Sequence, residues 1–378
     1  MFVLFVLALE TLACLRVVLR LARTAGGAPI AAASAPPDGT IAVIVPVLDE
    51  AARLAPCLRA LTASRGPLAE IVVVDGGSSD RTRDLVLAAA AQDHRLRLID
   101  AGPAPLGWNG KAWSLERGLQ AVDAVWVATV DADVRVGPAL ISDAAARASR
   151  DGLAALSIAT RQLLPDLGSA LLHPALLTTL VYRTGLPNVA TGSTTAVQAN
   201  GQVFIARRAA LVSAGAFRTA RASRCEDVTT ARAIAADGGR VGFYEGDAVV
   251  RMYDSWRDCA ANWPRSLTLR DRFVPPARTW LALVELLFAQ ALPLPSFVLL
   301  LVSGGRVRAP RTARAVALAL LMVRLGVLAG TRRAYPGVSG IYWLSPLADL
   351  PAVVLLAHSA LRRRQMWRGR LLVDESTA

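Results

Sequence analysis

Residues 125–136, V-W-V-A-T-V-D-A-D-V-R-V, constrain the architecture more than any other stretch of the chain. An apolar, β-branched run ends there in two carboxylates, Asp131 and Asp133, separated by one alanine. Such a run reads as a buried strand. Stopping it at a short acidic pair sets oxygen ligands at the edge of a sheet, where a hard divalent cation and the phosphates it carries find a site. For D-A-D alone, a solvated loop after a strand is the competing reading.

Upstream, the pattern alternates. Residues 41–47, 70–75, 96–100 and 124–130 read as strands, and residues 50–62, 80–92 and 110–121 have helical periodicity. Strand and helix alternating at this interval predict a parallel, doubly wound sheet, whose ligands bind beyond the carboxyl ends of the strands. The polar signatures fall at those ends: Pro46-Val47-Leu48-Asp49-Glu50 after the first strand, Asp75-Gly76-Gly77-Ser78-Ser79-Asp80 after the second, and the acidic pair after the fourth. In the second signature the glycines permit a tight turn, Ser79 or Asp80 can cap the next helix, and Asp75 can accept from a ribose or base edge. A bare turn with a helix cap explains the same residues; their order along the chain favours a nucleotide site.

Composition narrows the class. The 378 residues are 54% hydrophobic with a mean hydropathy of +0.41, which calls for membrane segments as well as a core. The formal charge of +13 does not mark a nucleic-acid binder, because the arginines are scattered and gather beside hydrophobic segments. Lys111 is the only lysine, lying at the start of a helix where its ammonium and the helix amides can face a diphosphate. A plain surface lysine is the alternative. Four dispersed cysteines and three dispersed histidines give no metal spacing and no Ser-His-Asp hydrolase; reduced thiols in a cytosolic domain fit better than a disulfide framework.

The membrane segments lie at both ends. Residues 1–23 read as an uncleaved anchor, since Glu10 interrupts the apolar run and Arg16, Arg20 and Arg23 follow it instead of preceding it. Residues 24–40, rich in Ala, Gly and Pro, read as a linker to a domain spanning 41–275. Three apolar segments follow, at 279–303, 313–330 and 343–361. If all three span, the arginines at 362–364 end outside, against the positive-inside tendency. With Pro293 and Pro295 at its centre, the first segment is therefore expected to re-enter or lie at the interface, leaving Arg306, Arg308, Arg311 and Arg314 cytosolic. This places a multi-pass protein in the cytoplasmic (inner) membrane with its catalytic domain in the cytoplasm. Residues 163–189, rich in leucine, are either a core helix or a surface along which a lipid approaches.

The motifs P-V-L-D-E, D-G-G-S-S-D, D-A-D and a later Glu226-Asp227, taken in order over residues 41–272, resemble the family 2 glycosyltransferases of GT-A type. That family carries P-x-x-N-E, D-G-S-x-D, a D-x-D metal motif and an E-D with the catalytic base; here Asp49 replaces the usual Asn. Within the family, G-W-N-G-K-A-W at 107–113 and the trailing apolar segments are most similar to enzymes associated with hopanoid and carotenoid biosynthesis. The resemblance implies an α/β, GT-A type, doubly wound nucleotide-sugar-binding domain between N-terminal and C-terminal membrane helices. It also implies inverting transfer from a nucleotide-sugar donor to a lipid hydroxyl with Mg²⁺ or Mn²⁺. Asp133 would hold the metal, with Asp131 on the ribose or the metal shell. Pro46, Asp49, Glu50, Asp75, Asp80, Lys111, Asp131 and Arg265 would line the donor site. Asp227 would be the base, supported by Glu226; an acid capping the helix at 227–236 is the competing reading of the residues. Asn200 and Gln202, in a polar stretch at 191–202, are acceptor candidates, and Trp108 or Trp113 could stack on a base or sugar. The family's Q-x-x-R-W is replaced by Asn262-Trp263-Pro264-Arg265, a departure that speaks against processive polysaccharide synthesis. A polyprenyl-phosphate or other lipid acceptor, a nucleotidyltransferase and a silent membrane scaffold of the same fold are the competing functions.

Overall fold

The structure, a computed structural model, describes residues 2–267, 271–302 and 311–362, with the backbone of 364–367 and 370–373. The strands are β1 (Ile41–Val47), β2 (Leu68–Asp75), β3 (Leu96–Asp100), β4 (Trp126–Val130), β5 (Val134–Val136), β6 (Ala155–Leu163), β7 (Val189–Thr191), β8 (Val203–Arg207) and β9 (Val241–Arg251). Of the helices, α1 (Phe2–Thr24) precedes the sheet, and α2 (Leu54–Thr62), α3 (Thr82–Ala90), α4 (Gly110–Gln120) and α5 (Leu140–Arg150) alternate with its first strands. Then come α6 (Leu167–Thr184), α7 (Arg208–Ser213), α8 (Glu226–Ala236) and α9 (Trp256–Leu267). The C-terminal bundle is built from α10 (Pro276–Leu286), α11 (Pro293–Val302), α12 (Arg311–Thr331) and α13 (Asp349–Leu361).

These nine strands form one mixed sheet in the order β3-β2-β1-β4-β8-β6-β9-β5, with β7 also paired to β9, and Arg364–Trp367 and Arg370–Val373 form a separate antiparallel pair. The first four are mutually parallel, as the alternation predicts. β8 then enters antiparallel to β4 and β6, β6 and β9 run parallel, and β5 closes the far edge antiparallel to β9. Both faces are covered, which is why β1 and β4 read as continuous apolar runs. Along β1, Val43 and Val45 pack with Leu54, Leu58 and Leu61 of α2 on one face, whereas Ala42 and Ile44 pack with Leu115 and Leu119 of α4 on the other. Pro46 is tolerated in this central strand because it pairs with Val74 of β2 where the ladder to β4 has already ended at Ile44.

The stretch expected as a linker is laid against the domain. Ile30 N–H donates to the Glu245 carbonyl at 2.8 Å and Ala33 N–H to Asp143 Oδ1 at 2.9 Å. A Cβ on Gly27 would fall 1.9 Å from the Asn188 carbonyl oxygen, so only glycine lets this strap press onto the chain there. α6 settles as a core helix: Leu172, His173, Ala175, Leu176 and Val181 are buried, and Pro174 is accommodated within it.

Four helices are long and apolar enough to cross a membrane: Phe2–Thr24, Pro276–Val302, Arg311–Ala334 and Gly340–Leu361. The second runs as a 27-residue helix through a π turn at Leu287–Ala291 and a bend at Leu292, which let it continue into Pro293 at the start of α11. Outward-facing Phe5, Leu12, Leu281, Leu301, Met322 and Leu347 are exposed, as a lipid-facing surface requires. Inside the bundle, Arg324 and Asp349 form an ion pair at 2.8 Å, each side chain only 2% exposed, and Gln290 Nε2 donates to both Asp349 Oδ1 (2.9 Å) and the Ala175 carbonyl of α6 (2.8 Å). Arg306, Arg308 and Arg363, used above for the membrane topology, lie outside the described residues.

Candidate active site

The site is assembled at the carboxyl ends of β1, β2 and β4. The loop after β1 is clasped to the loop after β2. Asp49, at a left-handed φ of 51°, accepts from Ser79 N–H at 2.8 Å, and its own N–H donates to Ser78 Oγ at 3.0 Å. Glu50 N–H reaches Thr82 Oγ1 at 2.8 Å and Ala51 N–H reaches Asp80 Oδ2 at 3.0 Å. Asp75 is fully buried; it accepts from Ser78 Oγ at 2.6 Å and Ser78 N–H at 3.0 Å, and its other oxygen takes Arg83 at 2.8 Å. The side chains of Asp49, Asp75 and Asp80 therefore shape this rim as well as facing it. Hydrogen bonding from Thr82 holds Asp80 below the usual carboxylate range.

After β4 the backbone of Asp131 is pinned from both sides. Its N–H donates to the Gln202 carbonyl at 3.1 Å, and its carbonyl accepts from Val134 N–H at 3.1 Å, so the chain turns tightly into β5. Asp133 projects from that turn. Burial, then the nearby charges of Asp131 and Glu50, push its carboxyl up to about 6. The environment thus disfavours a bare carboxylate there and favours one that has gained a cation.

Lys111 is the second residue of α4. Asn109 caps that helix, its side chain accepting from Lys111 N–H at 2.9 Å and donating to the Ser223 carbonyl at 3.1 Å. The Lys111 ammonium lies 2.7 Å from Asp131 Oδ1 and 2.7 Å from Glu226 Oε1. Burial opposes its charge, but Asp131, Glu226 and Asp227 together carry it well above the usual lysine range. Glu226 and Asp227 open α8, whose start is tied to α9 by Cys225 Sγ contacting the Ser266 carbonyl at 3.0 Å. Burial, then the charge of Glu226, raises Asp227, with Lys111 acting in the opposite direction. A Cβ on Gly201 would come 3.0 Å from Lys111 Nζ and 3.3 Å from Asp227 Oδ2.

These groups open into a cavity of about 840 Å³. Its wall includes the polar Asn109, Lys111, Asp131, Glu226 and Asp227, and also Leu177, Leu180 and Val181 of α6, residues of the strap from Thr24 to Ile30, and residues from the end of α12 to Ala334. Asn200 and Gln202 line the middle, held in a network in which Asn200 Nδ2 donates to Gln202 Oε1 at 2.8 Å and Thr160 Oγ1 bonds the same oxygen. Arg265 also lines it, with burial lowering its guanidinium from the usual range, and Arg224 lies close by in the wall. Trp263, in place of the family's Q-x-x-R-W tryptophan, lines the cavity and stacks on His173 at 3.5 Å between ring centres.

Of the residues singled out in the sequence, Lys111, Asp131, Asn200, Gln202, Glu226, Asp227 and Arg265 meet at the cavity, while Asp49, Glu50, Asp80 and Asp133 lie on the strand-end loops, and Pro46 and Asp75 near the ends of β1 and β2, outside its lining. Trp108 and Trp113 do not line it; they pack edge to face at 5.2 Å, and Trp113 Nε1 donates to the Ala101 carbonyl. Sequence reasoning missed Asn109, Gly201 and the strap. Asn before a glycine and a helical run is a recognisable cap, but nothing local marks Gly201 or Gly27 as points of close approach. Among the described residues no three His, Cys, Asp or Glu side chains converge as a ready cage for a metal.

Residues 42–197 match the model of glycosyl transferase family 2. No curated protein matches the sequence. Among solved structures, the chain is similar to mannosyltransferase PcManGT from Pyrobaculum calidifontis in complex with GDP-Man and Mn²⁺, at 19% identity and a TM-score of 0.58, over 96% of this chain and 99% of that one. Glucosyl-3-phosphoglycerate synthase from Mycobacterium tuberculosis, solved with Mn²⁺, UDP-glucose and phosphoglyceric acid, is 17% identical over 70% of this chain and 84% of its own, with a TM-score of 0.41. TarS 1-349 of S. aureus with UDP-GlcNAc is 16% identical over 89% and 96%, with a TM-score of 0.40. The first of these extends the likeness in fold across almost the whole chain, beyond the matched residues to α8, where Glu226 and Asp227 stand. Residues 42–197, which include Lys111, Asp131 and Asp133, thus match the glycosyl transferase family 2 model, within a fold like that of the first of these structures.

Proposed function

We propose that this chain is a membrane-bound, inverting glycosyltransferase that moves a sugar from a nucleoside-diphosphate sugar to the hydroxyl of a lipid. The observation that supports the reading best is that one cavity is lined both by Lys111, Asp131, Glu226 and Asp227 and by apolar residues of α6 and the strap. The donor enters over the loops after β1, β2 and β4, and the acceptor's apolar body lies along Leu177, Leu180 and Val181. A triterpenoid or carotenoid alcohol, the class implied by the sequence resemblance, suits that wall. The reaction runs in the cytoplasm, at the inner face of the cytoplasmic membrane.

The donor set fits a divalent metal of the Mg²⁺ or Mn²⁺ kind. The carboxylates on offer are hard oxygen donors, Asp133 is held in a field that favours a cation, and the absence of a three-residue cage among the described residues suits an ion that takes one or two carboxylates and fills the rest with phosphate and water. When bound, the ion would neutralise charge on the leaving diphosphate. Asp133 would hold it, with Asp131 beside it. Asp227, raised by burial beside Glu226, takes the proton of the acceptor hydroxyl as its oxygen attacks the anomeric carbon. Glu226 keeps Lys111 in place, and Asn200 and Gln202 orient the acceptor.

Arg224, Arg265 and Arg333, all in the cavity wall, favour one second reading, a polyprenyl-phosphate acceptor. A phosphate oxygen is already ionised and needs no base. The test is Asp227→Asn with membrane lipids and a panel of nucleotide sugars, following release of nucleoside diphosphate. With a hydroxyl acceptor, turnover falls by roughly 10²-fold or more while donor binding persists. Full turnover in Asp227→Asn points to the phosphate acceptor, and no release from any donor by the wild-type chain refutes glycosyl transfer.

A further inference from the structure

Lys111 has two carboxylate partners that belong to different parts of the fold. Its ammonium is 2.7 Å from Asp131 at the end of β4 and 2.7 Å from Glu226 at the start of α8, with Gly201 leaving room for it between them. The helix carrying it is fixed from below, because Asn109 both caps α4 and holds the Ser223 carbonyl just before α8. The stem is anchored and only the long, flexible methylene arm is free to swing. The Lys111 side chain is 20% exposed and lines the cavity.

This arrangement sets one positive charge, which cannot diffuse away, between Asp131 and Glu226. A divalent ion arriving alone would have to approach a positive ammonium and separate it from Asp131. A metal arriving with a nucleoside diphosphate brings new anionic oxygens to which the ammonium can pass. We propose that Lys111 is a tethered counter-ion that closes the empty site to a free divalent cation, so that metal is admitted only together with nucleotide. Lys111 is then a positioning residue that couples the two ligands. The proposal rests on the glycosyl-transfer reading, and the coupling is reciprocal: metal must strengthen nucleotide binding by the factor by which nucleotide strengthens metal binding.

The experiment measures Mn²⁺ binding by the loss of its free electron-paramagnetic-resonance signal, on the full-length chain in detergent or nanodiscs, with and without uridine or guanosine diphosphate. Wild type should bind Mn²⁺ roughly tenfold or more tightly with the nucleotide than without it. Lys111→Met should bind Mn²⁺ alone roughly tenfold more tightly than wild type, with nucleotide affinity reduced, whereas Lys111→Arg, which keeps the charge, should still exclude the free ion. Equal or weaker binding of Mn²⁺ alone by Lys111→Met overturns the proposal. So does equally tight binding of Mn²⁺ by wild type with and without nucleotide, a measurement that needs no variant to fold. Failure of the wild-type chain to bind either nucleotide at any Mn²⁺ concentration refutes the glycosyl-transfer reading itself, a result distinct from both.

Discussion

Replacing Arg324 by methionine tests whether the apolar wall of the cavity is held in place by a buried charge pair. Asp349 accepts from Arg324 Nε at 2.8 Å, from Arg324 Nη2 at 2.9 Å and from Gln290 Nε2 at 2.9 Å, and both charged side chains are 2% exposed. Methionine fills much of the arginine's space but leaves the buried carboxylate with one amide donor. Breaking one partner out of such a pair costs about 3–5 kcal/mol, because the remaining charge stays buried. Removing both charges, as Arg324→Met with Asp349→Leu, should cost far less and is often neutral. The same amide of Gln290 reaches the Ala175 carbonyl, so the damage should pass to α6 and loosen the wall formed by Leu177 and Leu180. Unfolding in mixed micelles, followed by tryptophan fluorescence or circular dichroism, gives the two free energies. A single variant within about 1 kcal/mol of wild type, or a double variant as unstable as the single, refutes the reasoning.

Gly201→Ala brings a methyl 3.0 Å from Lys111 Nζ and 3.3 Å from Asp227 Oδ2. The fold should survive, since the ammonium is the end of a flexible chain, while turnover drops roughly tenfold from misplaced groups; unchanged kinetics count against the assigned geometry. For pH, the raised Asp227 is protonated at less acidic pH than an ordinary carboxyl, and only its ionised form can accept a proton. Turnover at saturating donor should therefore fall on acidification while the pH is still above the ordinary carboxylate range of about 4, and the residual activity of Asp227→Asn should lack that limb. The side on which the chain ends depends on Pro276–Val302: a re-entrant course keeps the C-terminus in the cytoplasm, and a crossing puts it outside. A cysteine added after Ala378 and labelled by an impermeant reagent decides this, and labelling from outside intact cells rules out the re-entrant course.

The first half of the sheet was legible because each strand there is covered on both faces and each is followed by its own helix. The predicted strands at 41–47 and 96–100 agree with β1 and β3, and the helix at 110–121 with α4. Strands β5 to β9 lack that rhythm. β8 pairs with β4 across more than 70 residues of intervening chain and runs against it, and no local periodicity records such a partner. α6 is similarly ambiguous in sequence, since a leucine-rich helix reads alike whether its neighbours are lipid or protein. Its burial is decided by α9, α13 and the segment Gly340–Ala348, all encoded far downstream.

At the site, the charged groups were readable and the confinement was not. Carboxylates at strand ends and a solitary lysine stand out in a sequence because the side chain itself is the signal. Gly201, Gly27 and the strap act through the absence of a side chain, and that absence has meaning only once the opposing atom is known. The strap shows the difference most clearly. As sequence, A-G-G-A-P-I is a linker; as structure, Gly27 meets the Asn188 carbonyl, Thr24 Oγ1 accepts from Leu186 N–H at 2.9 Å, and Ile30 donates to Glu245. α1 is thereby coupled to the wall of the cavity instead of hanging from it on a free linker. Under the lipid acceptor proposed above, an acceptor lying along α6 would reach Asp227 through the same cavity, and α1 would hold its place there through the strap.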